Sequence, residues 1–283
     1  MFSGSNVALV TPFHNNILDL EALERLINWQ IESGTDGILV TGTTGEGQLL
    51  TSEERKTVIN ISREIIRERA HLTVGCSAIS AIDTIRIAKE AEDCRADGIL
   101  AIVPYYIKPT QTGIFEFFAN IHENCDIPII MYNNPGRCCV SMNVDTVIKL
   151  ASSFKRIVAL KDSSVDLTRV PKIKRTLPGF TLLSGDDPSL AGYMTSGGNG
   201  TISVVANVAP KMAKKMVTDY SPELNIPWTY LSEAMFTESN PIPVKFCLSK
   251  MGIIKNELRS PLTVAGKITE EAINSVMDQW DFC

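Results

Sequence analysis

Lys161 ends the apolar run Ile157-Val158-Ala159-Leu160. A lysine at the rim of a buried strand is partly desolvated, which disfavours the ammonium and favours the nucleophilic amine. Such an amine condenses with a carbonyl compound to a Schiff base, whose iminium draws electrons from the adjacent carbon. The competing reading is a lysine that snorkels to water or pairs with Asp162; the residue alone leaves the two level. Tyr132 closes the preceding apolar run and Tyr106 follows the one before it, so two phenols and the Thr43 hydroxyl can approach one cavity. A chain of hydroxyls moves protons without histidine or metal, provided the site lowers the phenol pKa or passes charge directly to substrate. Either tyrosine by itself reads more simply as a half-buried aromatic with a satisfied hydroxyl.

Arg137 lies in Tyr132-Asn133-Asn134-Pro135-Gly136-Arg137, a strand end followed by turn-forming residues. Its guanidinium suits a carboxylate through two parallel hydrogen bonds, although without the lysine and tyrosines an internal salt bridge is the simpler reading. Leu39-Val40-Thr41-Gly42-Thr43-Thr44-Gly45-Glu46-Gly47 has the glycine density of a phosphate loop. It neither ends in Gly-Lys-Ser/Thr nor opens a long helix in a first βαβ unit, so the warrant for phosphate is missing. Further polar residues at the ends of apolar runs are Thr11, Ser77, Tyr105, Ser184 to Asp187 and Ser203.

The elements that must position these groups are eight runs rich in Val, Ile and Leu: Val7-Val10, Gly37-Val40, Leu72-Cys76, Gly98-Val103, Ile127-Tyr132, Ile157-Lys161, Thr181-Ser184 and Thr201-Val205. Most are continuously apolar, as strands of a parallel sheet buried on both faces are. Helical patterns separate them. Leu20, Leu23, Ile27 and Ile31 form one apolar stripe, and Thr51-Ser52-Glu53-Glu54 has capping-box spacing. Further helices are expected over 81–94, 111–124, 143–152, 167–176 and 187–195. Sustained alternation of this kind predicts an α/β fold, a TIM (β/α)8 barrel, in preference to a doubly wound sheet with its glycine fingerprint in the first unit. The patterns over 208–219, 224–237, 241–251 and 268–280 exceed one closing helix. They predict a catalytic barrel over 1–218 and a C-terminal helical extension over 219–283 packed on it.

The 283 residues are 44% hydrophobic and 21% charged with a net charge of −5, which suits a globular core and argues against nucleic acid as a partner. Lys172, Lys174 and Arg175 read as a solvated helix face. No secretory leader or run long enough to span a bilayer is recognised, so no membrane is expected and the cytoplasm is the default. Cys76, Cys94, Cys125, Cys138, Cys139, Cys247 and Cys283 lack metal-ligand spacing and read as free thiols; His14, His71 and His122 carry no metal motif.

Gly42-Thr43-Thr44-Gly45-Glu46, Tyr132-Asn133-x-Pro135-x-Arg137 and the strand-ending Lys161 together closely resemble the dihydrodipicolinate synthase and N-acetylneuraminate lyase family. The resemblance runs from Gly4-Ser5-x-Val7-Ala8 through Leu183-Ser184-Gly185-Asp186-Asp187 to Asn240-Pro241-Ile242-Pro243-Val244-Lys245 and the helical tail. It implies a class I aldolase mechanism without metal or organic cofactor, in which Lys161 forms an imine with pyruvate and the derived enamine attacks L-aspartate 4-semialdehyde. The product is 4-hydroxy-tetrahydrodipicolinate, on the way to diaminopimelate and lysine. By the same resemblance Tyr132 relays protons through Thr43 to Tyr106 of a neighbouring subunit, in a homotetramer of two tight dimers. Thr43 and Thr44 meet the pyruvate carboxylate, Gly185 and Ile202 line the lysine pocket through backbone groups, and Arg137 holds the semialdehyde carboxylate. Arg137 favours this reaction over the family's alternatives, N-acetylneuraminate lyase and the keto-deoxy sugar-acid aldolases or dehydratases.

The chain departs from the family at two places. Where lysine-inhibited members present asparagine, an acidic residue and histidines, this sequence has Ile79, Asp83, Ser52 and Arg55, while Tyr105 is retained. An aliphatic Ile79 offers no amide hydrogen bonds, so feedback by lysine is expected to be weak or absent. Val165 stands where glycine is common, which puts the shape of that loop in doubt.

Overall fold

The computed structural model describes residues 2–280, so Cys283 lies outside the described residues, as does the end of the tail. Eight parallel strands close into a barrel: β1 (Gly4–Ala8), β2 (Gly37–Val40), β3 (His71–Gly75), β4 (Gly98–Ile102), β5 (Ile129–Asn133), β6 (Ile157–Asp162), β7 (Thr181–Ser184) and β8 (Gly200–Ser203). Each strand pairs with the next in sequence, and β1 closes the ring by pairing with both β2 and β8. The strands match the expected runs closely except at the first, which lies toward the N-terminus of Val7-Val10.

That shift has a chemical cause. Gly4-Ser5-Asn6 looks polar but is internal: the Asn6 amide donates to the carbonyls of Phe2, Gly4 and Thr201, and Ser5 N–H donates to Asp36 at 2.8 Å. Satisfied polar groups can be buried, so an apolar criterion passes over them.

Helices α1 (Leu20–Glu32), α2 (Ser52–Ile66), α3 (Ala81–Asp93), α4 (Gln111–Asn124), α5 (Val144–Ser153), α6 (Arg169–Thr176), α7 (Leu190–Thr195) and α8 (Pro210–Thr218) clothe the barrel. In α1, Leu23 and Ile27 are buried while Leu20 and Ile31 are half-buried at the stripe's ends. The Thr51–Glu54 capping box forms in full at the start of α2, satisfying two otherwise orphaned N–H groups. Lys174 is not simply solvated; its ammonium donates to the carbonyl of Phe180 at 2.8 Å and to Asn199 at 2.6 Å.

Three more helices follow: α9 (Pro222–Ala234), α10 (Ile242–Lys250) and α11 (Lys267–Gln279). Trp228 of α9 is fully buried, and its indole N–H donates to the Asp187 carbonyl at 2.7 Å, which fixes this part of the tail beside the β7 exit. Among the unforeseen elements are a short antiparallel ribbon, Phe13–His14 with Ile17–Leu18, a single helical turn at Pro135–Cys138, and short 3-10 turns at Gly47–Leu49 and Val205–Asn207. No helix among the described residues is long and apolar enough to cross a membrane.

Candidate active site

At the carboxyl ends of the strands lies a cavity of about 140 Å³ lined by Thr43, Thr44, Ser77, Tyr132, Asn134, Arg137, Lys161 and Gly185, together with Phe236 and Asn240 from the tail. The register of β5 against β6 places Tyr132 directly beside Lys161, and the lysine Nζ sits 4.5 Å from the centre of the tyrosine ring. Both side chains are buried. Gly185 makes room for the lysine, since a Cβ there would lie 2.8 Å from Lys161 Cε and 2.2 Å from Ser163 Oγ.

The Tyr132 hydroxyl accepts a hydrogen bond from Asn134 Nδ2 at 2.7 Å. Burial opposes ionisation of this phenol, but the Lys161 charge, polar contacts with Asn134 and Ser163, and the Arg137 charge outweigh it. Tyr132 therefore ionises below the ordinary tyrosine range, the condition under which a phenol serves as a base. Asn134 also caps the Pro135–Cys138 turn, accepting from Arg137 N–H at 3.1 Å. One amide thus orients both the phenol and the turn that carries the arginine.

The glycine-rich stretch folds as a tight turn after β2. Thr41 adopts φ +55°, Glu46 N–H donates to the Thr43 carbonyl at 3.0 Å, and Gly47 N–H to the Gly42 carbonyl at 3.1 Å. A Cβ at Gly47 would lie 1.8 Å from the Thr41 oxygen, so no other residue fits. This turn presents Thr43 and Thr44 to the cavity. Beneath it the Glu46 carboxylate accepts from the Lys245 ammonium and from Arg259 N–H at 2.9 Å; the Glu46 and Lys245 side chains are fully buried. A buried pair of this kind locks the threonine turn to the helical tail.

Asn240, just before α10, is the main component that strand-end reasoning missed. Its Nδ2 donates to Thr44 Oγ1 at 3.0 Å, and its backbone carbonyl accepts from Arg137 Nη2 at 3.3 Å. The Asn240-Pro241 dipeptide belongs to the sequence resemblance, but nothing in its spacing shows that it reaches the cavity.

Lys161, Tyr132, Thr43, Thr44, Arg137 and Gly185 are therefore gathered at one place. Ile202 is buried at mid-strand opposite Asn6, and Val204, past the end of β8, lines the cavity in its stead. Tyr106 is 85% exposed at φ +71° and lies outside the cavity of the single chain. Thr11, Ser184 and Ser203 act as braces: their hydroxyls bond to the Gly45 carbonyl, the Asp186 carbonyl and Ala206 N–H. Burial pushes the Asp187 carboxyl up against its bonds with Ser203 and the Val205 and Val204 amides. Cys76, Cys94, Cys125 and Cys138 are buried free thiols and Cys139 is an exposed one, while Cys247 is buried.

Residues 1–280 match the Dihydrodipicolinate synthetase family. The chain is similar to 4-hydroxy-tetrahydrodipicolinate synthase of Fervidobacterium nodosum, 40% identical over 285 residues and 98% of each chain. It is likewise similar to that of Thermotoga maritima, 37% identical over 290 residues and 99% of each. The crystal structure of dihydrodipicolinate synthase from Aquifex aeolicus superposes with a TM-score of 0.96 at 38% identity, covering 99% of both chains. A barrel whose lysine, tyrosine, threonines and arginine converge where the motifs place them, matched over its whole described length, belongs to the dihydrodipicolinate synthetase family.

Proposed function

We propose that this chain condenses pyruvate with L-aspartate 4-semialdehyde to give 4-hydroxy-tetrahydrodipicolinate. The observation that carries this reading is the buried pairing of Lys161 with Tyr132, in one small cavity with Thr44 and Arg137.

Lys161 Nζ adds to the ketone carbon of pyruvate, and loss of water leaves the imine. Thr43 and Thr44 supply donors for the pyruvate carboxylate. Tyr132, with its lowered pKa, accepts and returns the protons of imine formation and C3 deprotonation, passing them through Thr43. The resulting enamine forms a carbon–carbon bond to the aldehyde, whose own carboxylate is held by Arg137. The aldehyde's amino group then attacks the imine carbon, closing the ring and releasing Lys161.

The relay is completed by Tyr106 of a second copy, in a tetramer built from tight dimers in the cytoplasm. Support for that assembly comes from exposed apolar side chains around the strand-end loops: Ile79, Ile82, Tyr106 and Ile107. Residues 1–218 are the catalytic barrel, and 219–283 are the extension that completes its mouth.

Borohydride reduction in the presence of pyruvate, followed by peptide mass analysis, tests the chemistry. A pyruvate adduct on Lys161 is expected; an adduct on another lysine, or none, overturns it. Offering N-acetylneuraminate and keto-deoxy sugar acids beside the semialdehyde then tests the choice of aldehyde.

A further inference from the structure

Asn240 reaches the cavity from the helical tail, and its side chain is only half used. Nδ2 donates to Thr44 Oγ1 at 3.0 Å, whereas Oδ1 is buried with no hydrogen-bond partner in the chain. Leaving a buried amide oxygen without a donor is costly, so such an atom in a ligand cavity calls for a donor from the ligand. Its neighbours define which donor. The Asn240 backbone carbonyl accepts from Arg137 Nη2 at 3.3 Å, so the residue lines the same cavity as the guanidinium assigned to the second substrate's carboxylate and touches it through its main chain. In an α-amino acid the ammonium is attached to the carbon that bears the carboxylate. A site with a guanidinium for one and a bare carbonyl oxygen next to it for the other has the chemistry of an amino-acid clamp.

We infer that Asn240 determines specificity for an amino-bearing aldehyde: its Oδ1 accepts from the substrate ammonium while its Nδ2 orients the Thr44 hydroxyl. The inference rests on the proposed condensation. With one acceptor lone pair of Thr44 Oγ1 occupied by Nδ2, the hydroxyl proton is turned away from Asn240 and is free for the pyruvate carboxylate. A neutral amide also suits the later chemistry. A carboxylate at 240 would hold the ammonium more tightly and raise its pKa, whereas the amide lets it lose its proton and attack the imine.

The test is a single turnover on preformed pyruvate imine with two aldehydes, L-aspartate 4-semialdehyde and its des-amino counterpart succinic semialdehyde. The native enzyme is expected to need about 10- to 100-fold less of the amino aldehyde for half-maximal imine consumption, the range of a charge-assisted hydrogen bond. Asn240→Ala should remove that preference by weakening the amino aldehyde alone. Asn240→Asp should keep the preference, raise the pyruvate KM through the lost bond to Thr44, and slow ring closure. Equal requirements for the two aldehydes in the native enzyme, or equal weakening of both in Asn240→Ala, would overturn the inference. The native measurement decides even if the alanine variant fails to fold. Absence of the imine, or consumption of neither aldehyde, would instead overturn the proposed condensation, so the two failures are distinguishable.

Discussion

Tyr132 and Lys161 face each other across β5 and β6, with the ammonium 4.5 Å from the phenol ring. The charge that Lys161 places beside Tyr132 is the largest influence drawing its pKa below the usual value, against burial. A single strand register thus sets the Lys161 charge against the Tyr132 phenol.

Replacing Tyr132 by phenylalanine keeps the ring and deletes the hydroxyl. It should lower kcat by about 10²- to 10⁴-fold, the worth of a positioned general base, without unfolding the barrel. Because the phenol's pKa is lowered, the native rate should rise with pH along a limb beginning below the ordinary tyrosine range. That limb should be missing from the pH–rate profile of Tyr132→Phe.

Completion of the relay by a neighbour's Tyr106 predicts complementation. Lys161→Ala and Tyr106→Phe assemblies should each be nearly inactive. After dissociation and reassembly of an equal mixture, each mixed dimer has one site with neither lesion, so about a quarter of all sites should recover. Activity assays before and after mixing decide it, and no recovery would place Tyr106 outside the relay.

The Glu46–Lys245 pair lies under the threonine turn with both side chains fully buried. Lys245→Met strands a buried carboxylate and should cost about 3–5 kcal/mol, read from urea unfolding at fixed protein concentration. Adding Glu46→Gln should recover part of the loss, since the expense comes mainly from the uncompensated charge.

Lysine should be a poor inhibitor. Besides the aliphatic Ile79, the Ser52 hydroxyl and Arg55 guanidinium are both committed to Glu90, at 2.7 and 2.9 Å, and Arg55 and Glu90 are buried. Titration through the millimolar range should leave the rate unchanged. Strong inhibition at low concentration would show that another set of side chains binds lysine.

Val165 keeps the left-handed backbone that glycine would adopt freely, with φ +63° and 60% exposure. A β-branched residue there is strained by about 1–2 kcal/mol, of which a glycine's extra unfolded-state freedom offsets about half. Val165→Gly should therefore raise thermal stability slightly and leave turnover intact, as a melting curve and an activity assay would show.

The barrel was legible because strands buried on both faces must be apolar along their length, as Gly98–Ile102 and Ile129–Asn133 largely are. Lys161 and Tyr132 could be found for the same reason, since a polar residue ending such a run stands out. β1 was displaced because the Asn6 side chain is buried by hydrogen bonding, which leaves no periodic trace. Asn240 and Phe236 were invisible as site components because they meet Thr44 and Arg137 only when a helical tail folds across the mouth. Contacts spanning 196 residues, such as Asn240 to Thr44, depend on tertiary packing and have no local signal.

Glu46 belongs to the substrate-facing turn, yet the groups that hold its carboxylate come from Lys245 and Arg259. During synthesis, a nascent chain can have all eight strands outside the ribosome while the partners that steady its Thr43–Thr44 turn are still untranslated. The cavity is thus completed last, and a chain released early would carry Lys161 without the frame that holds the Thr43–Thr44 turn.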